Sequence, residues 1–223
     1  MLIVAAIVWI ALHIGVAGSR LRDRVVRGIG EGRFRGAFAA VSIAALVWLS
    51  WSYNAAATTP LWRAAPWLLA LLVLAMLPAC VLFVGSVTTP NPTAIGGEGA
   101  AAQPRGIQRI TRHPMLWSFA IWAAVHIIGN GDTASLVFFG AFLITALVGM
   151  PSIDAKLARR DAAAWAAVAA GTGIVPFAAI VEGRNRLVWN EIGWWRLGLG
   201  LIFWGLLLYL HPLVIGVSPL PVG

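Results

Sequence analysis

The sequence of 223 residues is 60% hydrophobic and only 11% charged, with a mean hydropathy of +0.86. Soluble domains carry about 25% charged residues, so this composition excludes a soluble globular protein. We predict an all-α, polytopic integral membrane bundle, because the chain is long enough for about six helices of roughly 20 apolar residues each. No soluble block interrupts the apolar runs, which predicts a single transmembrane domain over residues 1–223.

The net charge of +8 is concentrated in a few connecting segments. These basic segments alternate with connections that are nearly free of lysine and arginine, which is the positive-inside pattern of membrane proteins. The distribution argues against nucleic-acid binding and predicts that the basic segments lie on the cytoplasmic side. The predicted inner loops are residues 19–36, 88–112 and 151–193.

Six apolar runs predict the spanning helices, at residues 2–18, 37–57, 66–87, 113–129, 133–150 and 194–210. The first is predicted to be an uncleaved anchor, because its arginines follow the apolar core, whereas the charges of a signal peptide precede it. With the N-terminus outside, six spans also place the C-terminus outside. Residues 162–181 have basic residues on both sides, so we predict an interfacial or re-entrant helix there.

Four histidines lie in or at the ends of these apolar helices: His13, His113, His126 and His211. Lipid offers no hydrogen-bond partner, so each ring must find one inside the bundle, and both simple packing and ligation of a metal or cofactor meet that need. The sequence lacks the HExxH pattern of zinc hydrolases, whereas two histidines on different helices suit the axial positions of a haem iron. Nearby small residues such as Gly15 and Ala123 either leave room for the macrocycle or serve close helix packing.

The step Arg112-His113-Pro114 predicts the start of a helix, with proline in the first turn. His126 follows His113 by 13 residues, a rise of about 20 Å along a helix, so the two cannot bind the same metal ion. We predict that His113 lies at the inner surface, as either an interfacial capping residue or a chemically active one. His126 is predicted to lie deeper in the membrane.

The tripeptide Asn130-Gly131-Asp132 predicts a tight turn between two spans, since glycine permits the backbone angles that such turns need. Asp132 is predicted to cap the helix that follows through its first free amides. The alternative is that the carboxylate orients a histidine.

These motifs extend over nearly the whole chain and resemble those of the NnrU family of bacterial membrane proteins, of which the plant zeta-carotene isomerases are distant relatives. The segments that carry the resemblance are His13-Ile14-Gly15 with Ser19-Arg20-Leu21-Arg22, Gly30-Glu31-Gly32, the run from Arg112 through His126 to Asp132, Val175-Pro176-Phe177 with Gly183-Arg184, and His211-Pro212.

The resemblance implies a haem-containing protein of the bacterial inner membrane with a role in nitric oxide or nitrite metabolism during denitrification. It implies that haem b is bound by His13 and His126. The isomerase relatives imply, as the alternative, haem-dependent cis-trans isomerisation of a polyene such as zeta-carotene. The supporting residues in either case are Arg112, His113, Asn130, Asp132 and His211.

Two further functions stay open from the sequence. Membrane methyltransferases also carry an Arg-His-Pro step where a helix meets the cytosolic surface, and the segment 182–184 is a loose counterpart of their later Glu- and Arg-containing elements. The non-enzymatic alternative is a sensor or assembly factor for denitrification, in which haem binds nitric oxide without turnover.

Overall fold

The computed structural model describes residues 1–93 and 103–220, and all regular elements in these residues are helices. Residues 94–102, within the predicted inner loop 88–112, lie outside the described residues. The helices are α1 (Leu2–Ile10, continued as a π-helix over Ala11–Ala17), α2 (Arg20–Ile29), α3 (Glu31–Asn54), α4 (Pro66–Thr88), α5 (Pro114–Asn130), α6 (Thr133–Arg160), α7 (Ala162–Ala170), α8 (Ala178–Val181), α9 (Trp189–Ile192) and α10 (Trp194–Val214), with a 3-10 turn at Gly106–Arg109.

Among the described residues, four helices are long and apolar enough to cross a membrane, namely α3, α4, α6 and α10. The segment Leu2–Ala17 meets α2 at a bend of 70°, and counting this bent pair as one span raises the number to five. Helix α5 has 17 residues and is about 25 Å long, slightly less than the hydrocarbon layer of about 30 Å. The predicted helical membrane bundle is confirmed, and the six predicted spans correspond to these four helices together with α1 and α5.

Helix α5 lies at the centre of the bundle, between α4 and α6. Helix α10 packs against α4, and α1 packs against both α3 and α6. Alanines such as Ala5, Ala123 and Ala141 are fully or almost fully buried. Because their side chains are small, they let the helix backbones approach closely. Phe138 and Phe139 fill the remaining space of the same cluster. This packing positions α5, which carries His126 and begins just after His113.

The turn between α5 and α6 is hydrogen-bonded to the connection between α3 and α4. Asp132 caps α6 by accepting from the Ser135 amide at 2.9 Å, and it also accepts from the Thr58 hydroxyl at 2.6 Å. Burial alone would raise the pKa of Asp132, but the hydrogen bonds from Thr58 and Ser135 outweigh it and hold that pKa below its usual range. The Gly131 carbonyl accepts from the Leu61 amide at 2.7 Å. The predicted turn and the predicted cap are both confirmed.

Two predicted helix boundaries differ clearly from the structure. Helix α3 begins at Glu31 rather than near residue 37, because Glu31 and the arginines after it form the first turns of the same helix. Helix α6 continues to Arg160, so the predicted end at residue 150 is wrong. Pro151 lies inside α6, where it removes one backbone donor without ending the helix. Residues 162–181 form the short helices α7 and α8, and neither is long enough to cross a bilayer.

The packing of the α5–α6 turn leads to a stability prediction for Gly131→Ala. Gly131 has a φ of 64°, and a Cβ atom there would lie 2.3 Å from the Trp62 carbonyl oxygen. We expect the variant to lose about 1–3 kcal/mol of unfolding free energy from backbone strain, with more from the clash. Thermal unfolding of the purified protein in detergent measures the effect.

The matched control is Gly140→Ala in the middle of α6. A Cβ atom at Gly140 would meet nothing within 4 Å, and alanine has the higher helix propensity. This variant should unfold at or slightly above the temperature of the unsubstituted protein. Equal melting temperatures for the two variants would contradict the prediction.

Candidate functional site

His13 lies where the first helix changes its winding. The segment Ala11–Ala17 is a π-helix, a conformation that occurs mostly in short stretches and often at functional sites. The His13 Nδ1 atom is 2.9 Å from the Trp9 carbonyl oxygen, and the ring centres of these two residues are 4.0 Å apart. The Phe38 ring contacts His13 edge-on at 5.4 Å. The imidazole is therefore held between two aromatic rings in one orientation.

His126 is held in the same way one helical turn before the end of α5. Its Nδ1 atom is 2.8 Å from the Trp122 carbonyl oxygen. The Phe139 ring is stacked on it with ring centres 4.7 Å apart. His211, near the end of α10, has its ring centre 6.3 Å from that of His126, and the two ring planes are 23° apart.

The hydrogen bonds of these histidines set their tautomers. The Nδ1 atom of His211 is 2.6 Å from the Val217 carbonyl oxygen, as those of His13 and His126 are close to carbonyls of their own helices. A carbonyl can only accept, so each Nδ1 carries the proton and the neutral ring keeps its lone pair on Nε2. Metal-ligating histidines are oriented by this kind of second hydrogen bond. All three rings thus present Nε2 as a ligand atom.

The structure brings His126 next to His211 and leaves His13 in a separate aromatic cluster. Within the described residues no ring contact joins His13 to His126. The two clusters are connected through Phe142, whose ring centre is 4.9 Å from that of Trp9 and 5.3 Å from that of Trp122. The shared ligation by His13 and His126 that the resemblance implies stays a prediction.

His113 belongs to a different arrangement, an ion-pair network centred on Asp154. The Arg112 guanidinium donates to Asp154 Oδ2 from Nε at 2.9 Å and from Nη2 at 2.5 Å. His113 Nε2 donates to Asp154 Oδ1 at 2.7 Å. His113 is 2% exposed, and its Nδ1 atom has no hydrogen-bond partner among the described residues. Both carboxylate oxygens of Asp154, on α6, therefore accept hydrogen bonds from the residues at the start of α5.

Asp154 is not among the site residues predicted from the sequence, because it falls in the predicted inner loop 151–193. One signal could have found it: Asp154 is the only acidic residue between positions 133 and 160. An isolated carboxylate in an apolar helix needs a cationic partner. The nearest predicted helix start supplies one in Arg112.

The remaining supporting residues have structural contacts. Asn130 donates to the Ser135 hydroxyl at 2.9 Å, and Asp132 caps α6, so the described hydrogen bonds of these two side chains go to the start of α6 and the α3–α4 connection rather than to a histidine. Thr111 accepts from the His113 amide at 3.2 Å, and the chain enters α5 with Pro114 in its first turn. The predicted helix start is confirmed, with His113 in the N-cap position.

Other polar contacts fix the loops at the basic end of the bundle, which we define as the end where α2, the start of α5 and the end of α6 lie. Arg109 donates to both carboxylate oxygens of Glu191, at 2.7 and 2.9 Å. This hydrogen bonding lowers the pKa of Glu191 to about 2. Glu191 is therefore ionised throughout the physiological pH range, and its ion pair with Arg109 holds the 3-10 turn against α9.

No group of three or more His, Cys, Asp or Glu side chains converges on a metal position in the described residues. What the bundle offers instead is pairs and single imidazoles in apolar surroundings. Such a donor set suits a metal whose other ligands come from a macrocycle, as in haem.

These features define a polytopic helical membrane protein with oriented histidines inside its bundle. The chain belongs to the NnrU family, since it matches the NnrU protein family over residues 1–219. It is 33% identical over 82 residues to the chloroplastic 15-cis-zeta-carotene isomerase of Zea mays and 34% identical over 82 residues to that of Arabidopsis thaliana. Each match covers 37% of this chain and 22% of the relative's length. No solved structure matches the chain.

The Asp154 network leads to a second stability prediction. Asp154→Asn keeps the side-chain size but leaves the Arg112 charge, whose side chain is 12% exposed, without its anion. Removing one partner of a buried ion pair costs roughly 3–5 kcal/mol, so we expect strongly reduced thermal stability in detergent.

Glu182→Gln is the matched control for this substitution. Glu182 pairs with Arg184, and their side chains are 54% and 37% exposed, so the same chemical change should cost less than about 1 kcal/mol. If Asp154→Asn is no less stable than Glu182→Gln, the network does not hold α5 and α6 together.

Proposed function

We propose that this protein binds haem within the membrane, with His126 as one axial ligand. The observation that carries the proposal is the pair His126 and His211, with ring centres 6.3 Å apart and both Nδ1 atoms engaged by carbonyls. A metal–imidazole bond would be about 2 Å long, so this spacing is short enough for both residues to hold one ion. The observed spacing supports ligation of a single iron.

The second axial ligand has two candidates. His211 is supported by its distance from His126, and His13 by the resemblance to the NnrU family and by its own oriented Nδ1–H. The carbonyls of Trp9 and Trp122 keep the respective rings in the ligating tautomer and increase the basicity of Nε2. The Phe139 ring stacked on His126 restricts its rotation. When bound, haem would supply a redox-active iron whose potential depends on its axial ligands.

We infer that the activity is cis-trans isomerisation of a hydrophobic polyene. The support is the similarity to two proteins named 15-cis-zeta-carotene isomerase, which is limited to 82 residues. A carotenoid is insoluble in water and reaches the histidines of a bundle from the surrounding lipid. The helices expose many large apolar side chains along their lengths, among them Ile43, Leu74 and Ile202, as contact with acyl chains requires.

The nitrogen-oxide role and the methyltransferase alternative stay predictions. The first rests on the resemblance alone, and its direct consequence is that a haem iron here would bind nitric oxide. The methyltransferase alternative would need Arg112 and His113 to face a cofactor pocket, whereas their described side-chain hydrogen bonds include those to Asp154.

We also propose that the protein resides in the bacterial inner membrane with the basic end on the cytoplasmic side. Met1 lies beside Thr133 and Ala134, at the end of the bundle opposite to the basic end. His211 is close to His126, so the end of α10 lies there as well. The positive-inside rule then supports periplasmic termini.

Haem binding is tested by the absorption spectrum of the full-length protein purified after expression with haem supply. We expect a Soret band and, after reduction, the spectrum of a six-coordinate bis-histidine haem. His126→Ala should lose most of the bound haem, because an axial ligand is removed from an apolar site. Of His13→Ala and His211→Ala, the variant that changes from six- to five-coordinate identifies the second ligand.

Tyr209→Ala is the control for the substitution in α10. Tyr209 is 71% exposed and two residues from His211, so its truncation should leave haem content and spectrum unchanged. Purified protein that holds no haem, or full haem content in His126→Ala, would refute the proposal.

The isomerase activity has a separate test. The protein is reconstituted in liposomes that contain 15-cis-zeta-carotene and is kept under reducing conditions. It should convert this substrate to another isomer, which chromatography detects. His126→Ala should reduce the conversion to the rate of protein-free liposomes, and Tyr209→Ala should retain it. Spectral binding of nitric oxide without any conversion would favour the gas-binding function instead.

A further inference from the structure

We propose that the cavity between α2 and the end of α6 binds a phosphate-bearing anion, supplied by the headgroup of an anionic phospholipid. The cavity has a volume of about 430 Å³. Six of its lining side chains are cationic and one is acidic: Arg20, Arg24, Arg27, Lys156, Arg159 and Arg160, with Asp23. Guanidinium and ammonium groups are the side chains that bind phosphate oxygens.

The fold holds the two walls of this cavity in place. The Ser152 hydroxyl of α6 donates to the Gly18 carbonyl at 2.9 Å, directly before α2 begins. A Cβ atom on Gly18 would lie 2.4 Å from that hydroxyl oxygen, so only glycine permits this contact. Ser19 then caps α2 by accepting from the Leu21 amide at 3.1 Å. The bend of 70° between the first helix and α2 is thus fixed against α6.

Carboxylates compensate only some of the charges that line the cavity. Glu31 accepts from Arg22 and from Arg35 and lies 3.9 Å from Arg160, so it offsets one of the lining charges. Four lining arginines have no ion-pair partner among the described residues: Arg20, Arg24, Arg27 and Arg159. Three of these are spaced four and three residues apart on one helix, and like charges at such spacings repel. A bound anion would relieve this repulsion.

The position of α2 favours a lipid as the source of the phosphate. Leu21, Val25 and Ile29 form a stripe on the helix face away from the three cavity arginines of α2, and Leu21 and Ile29 are 45% and 41% exposed. A basic amphipathic helix of this kind lies in the membrane interface with its apolar face toward the acyl chains. The cavity then opens at the depth of the headgroups, where clustered arginines attract anionic lipids.

The test compares lipid binding to the full-length protein and to variants, by native mass spectrometry from detergent. The unsubstituted protein should retain phosphatidylglycerol in preference to phosphatidylcholine, and added salt should weaken the preference. Arg24→Gln with Arg159→Gln, one change in each wall, should weaken phosphatidylglycerol binding roughly tenfold or more. Arg33→Gln with Arg186→Gln, which removes the same charge elsewhere at the basic end, should change it less than about twofold.

Further variants and a competing anion distinguish a lipid site from a site for free phosphate and from misfolding. Arg24→Lys with Arg159→Lys keeps the charge and should keep most of the binding, which excludes misfolding as the cause of a loss. Inorganic pyrophosphate that competes fully with phosphatidylglycerol would keep the phosphate site and overturn the lipid as its source. Equal retention of both lipids, or equal losses in the cavity and control variants, would overturn the site itself.

Discussion

A polar group inside a bilayer must find its partner within the protein, and the carboxylate of Asp154 shows how much of this fold follows from that constraint. Its two oxygens accept from Arg112 and from His113, so the last turns of α6 are bound to the residues that begin α5. The Gly131 turn joins the same two helices at the opposite end. Helix α5 is thereby held at both ends between its neighbours.

The same constraint divides the histidines into two groups. His13 and His126 satisfy Nδ1 with a carbonyl of their own helix, four residues earlier, and His211 satisfies it with a carbonyl in the segment after α10. These local solutions leave Nε2 available. His113 instead uses Nε2 for its hydrogen bond to Asp154, which gives this histidine a structural role. The distinction depends on which nitrogen is engaged, and residue type alone does not reveal it.

What could be predicted from the sequence was local in origin. The start of α4 at Pro66 and the cap of α6 at Asp132 follow from signals within one or two turns. Pro151 is an equally local signal for a helix end, and there tertiary contacts override it, since Asp154 is held by Arg112 beyond that proline. The neighbouring position of His211 and His126 depends on the order in which helices pack, and the apolar pattern of a membrane chain carries little information about that order.

Helix α10 owes its position to α4 rather than to α5. Gly200 packs so tightly that a Cβ atom there would lie 2.7 Å from Val81, and the Trp204 indole donates to a carbonyl of α4 at 2.9 Å. The relative position of His126 and His211 is therefore set by α4, a helix that packs against both α5 and α10 and carries neither histidine. The spacing of the two imidazoles consequently depends on a contact far from both of them: a residue larger than glycine at position 200 would meet Val81 of α4 and displace the helix that carries His211.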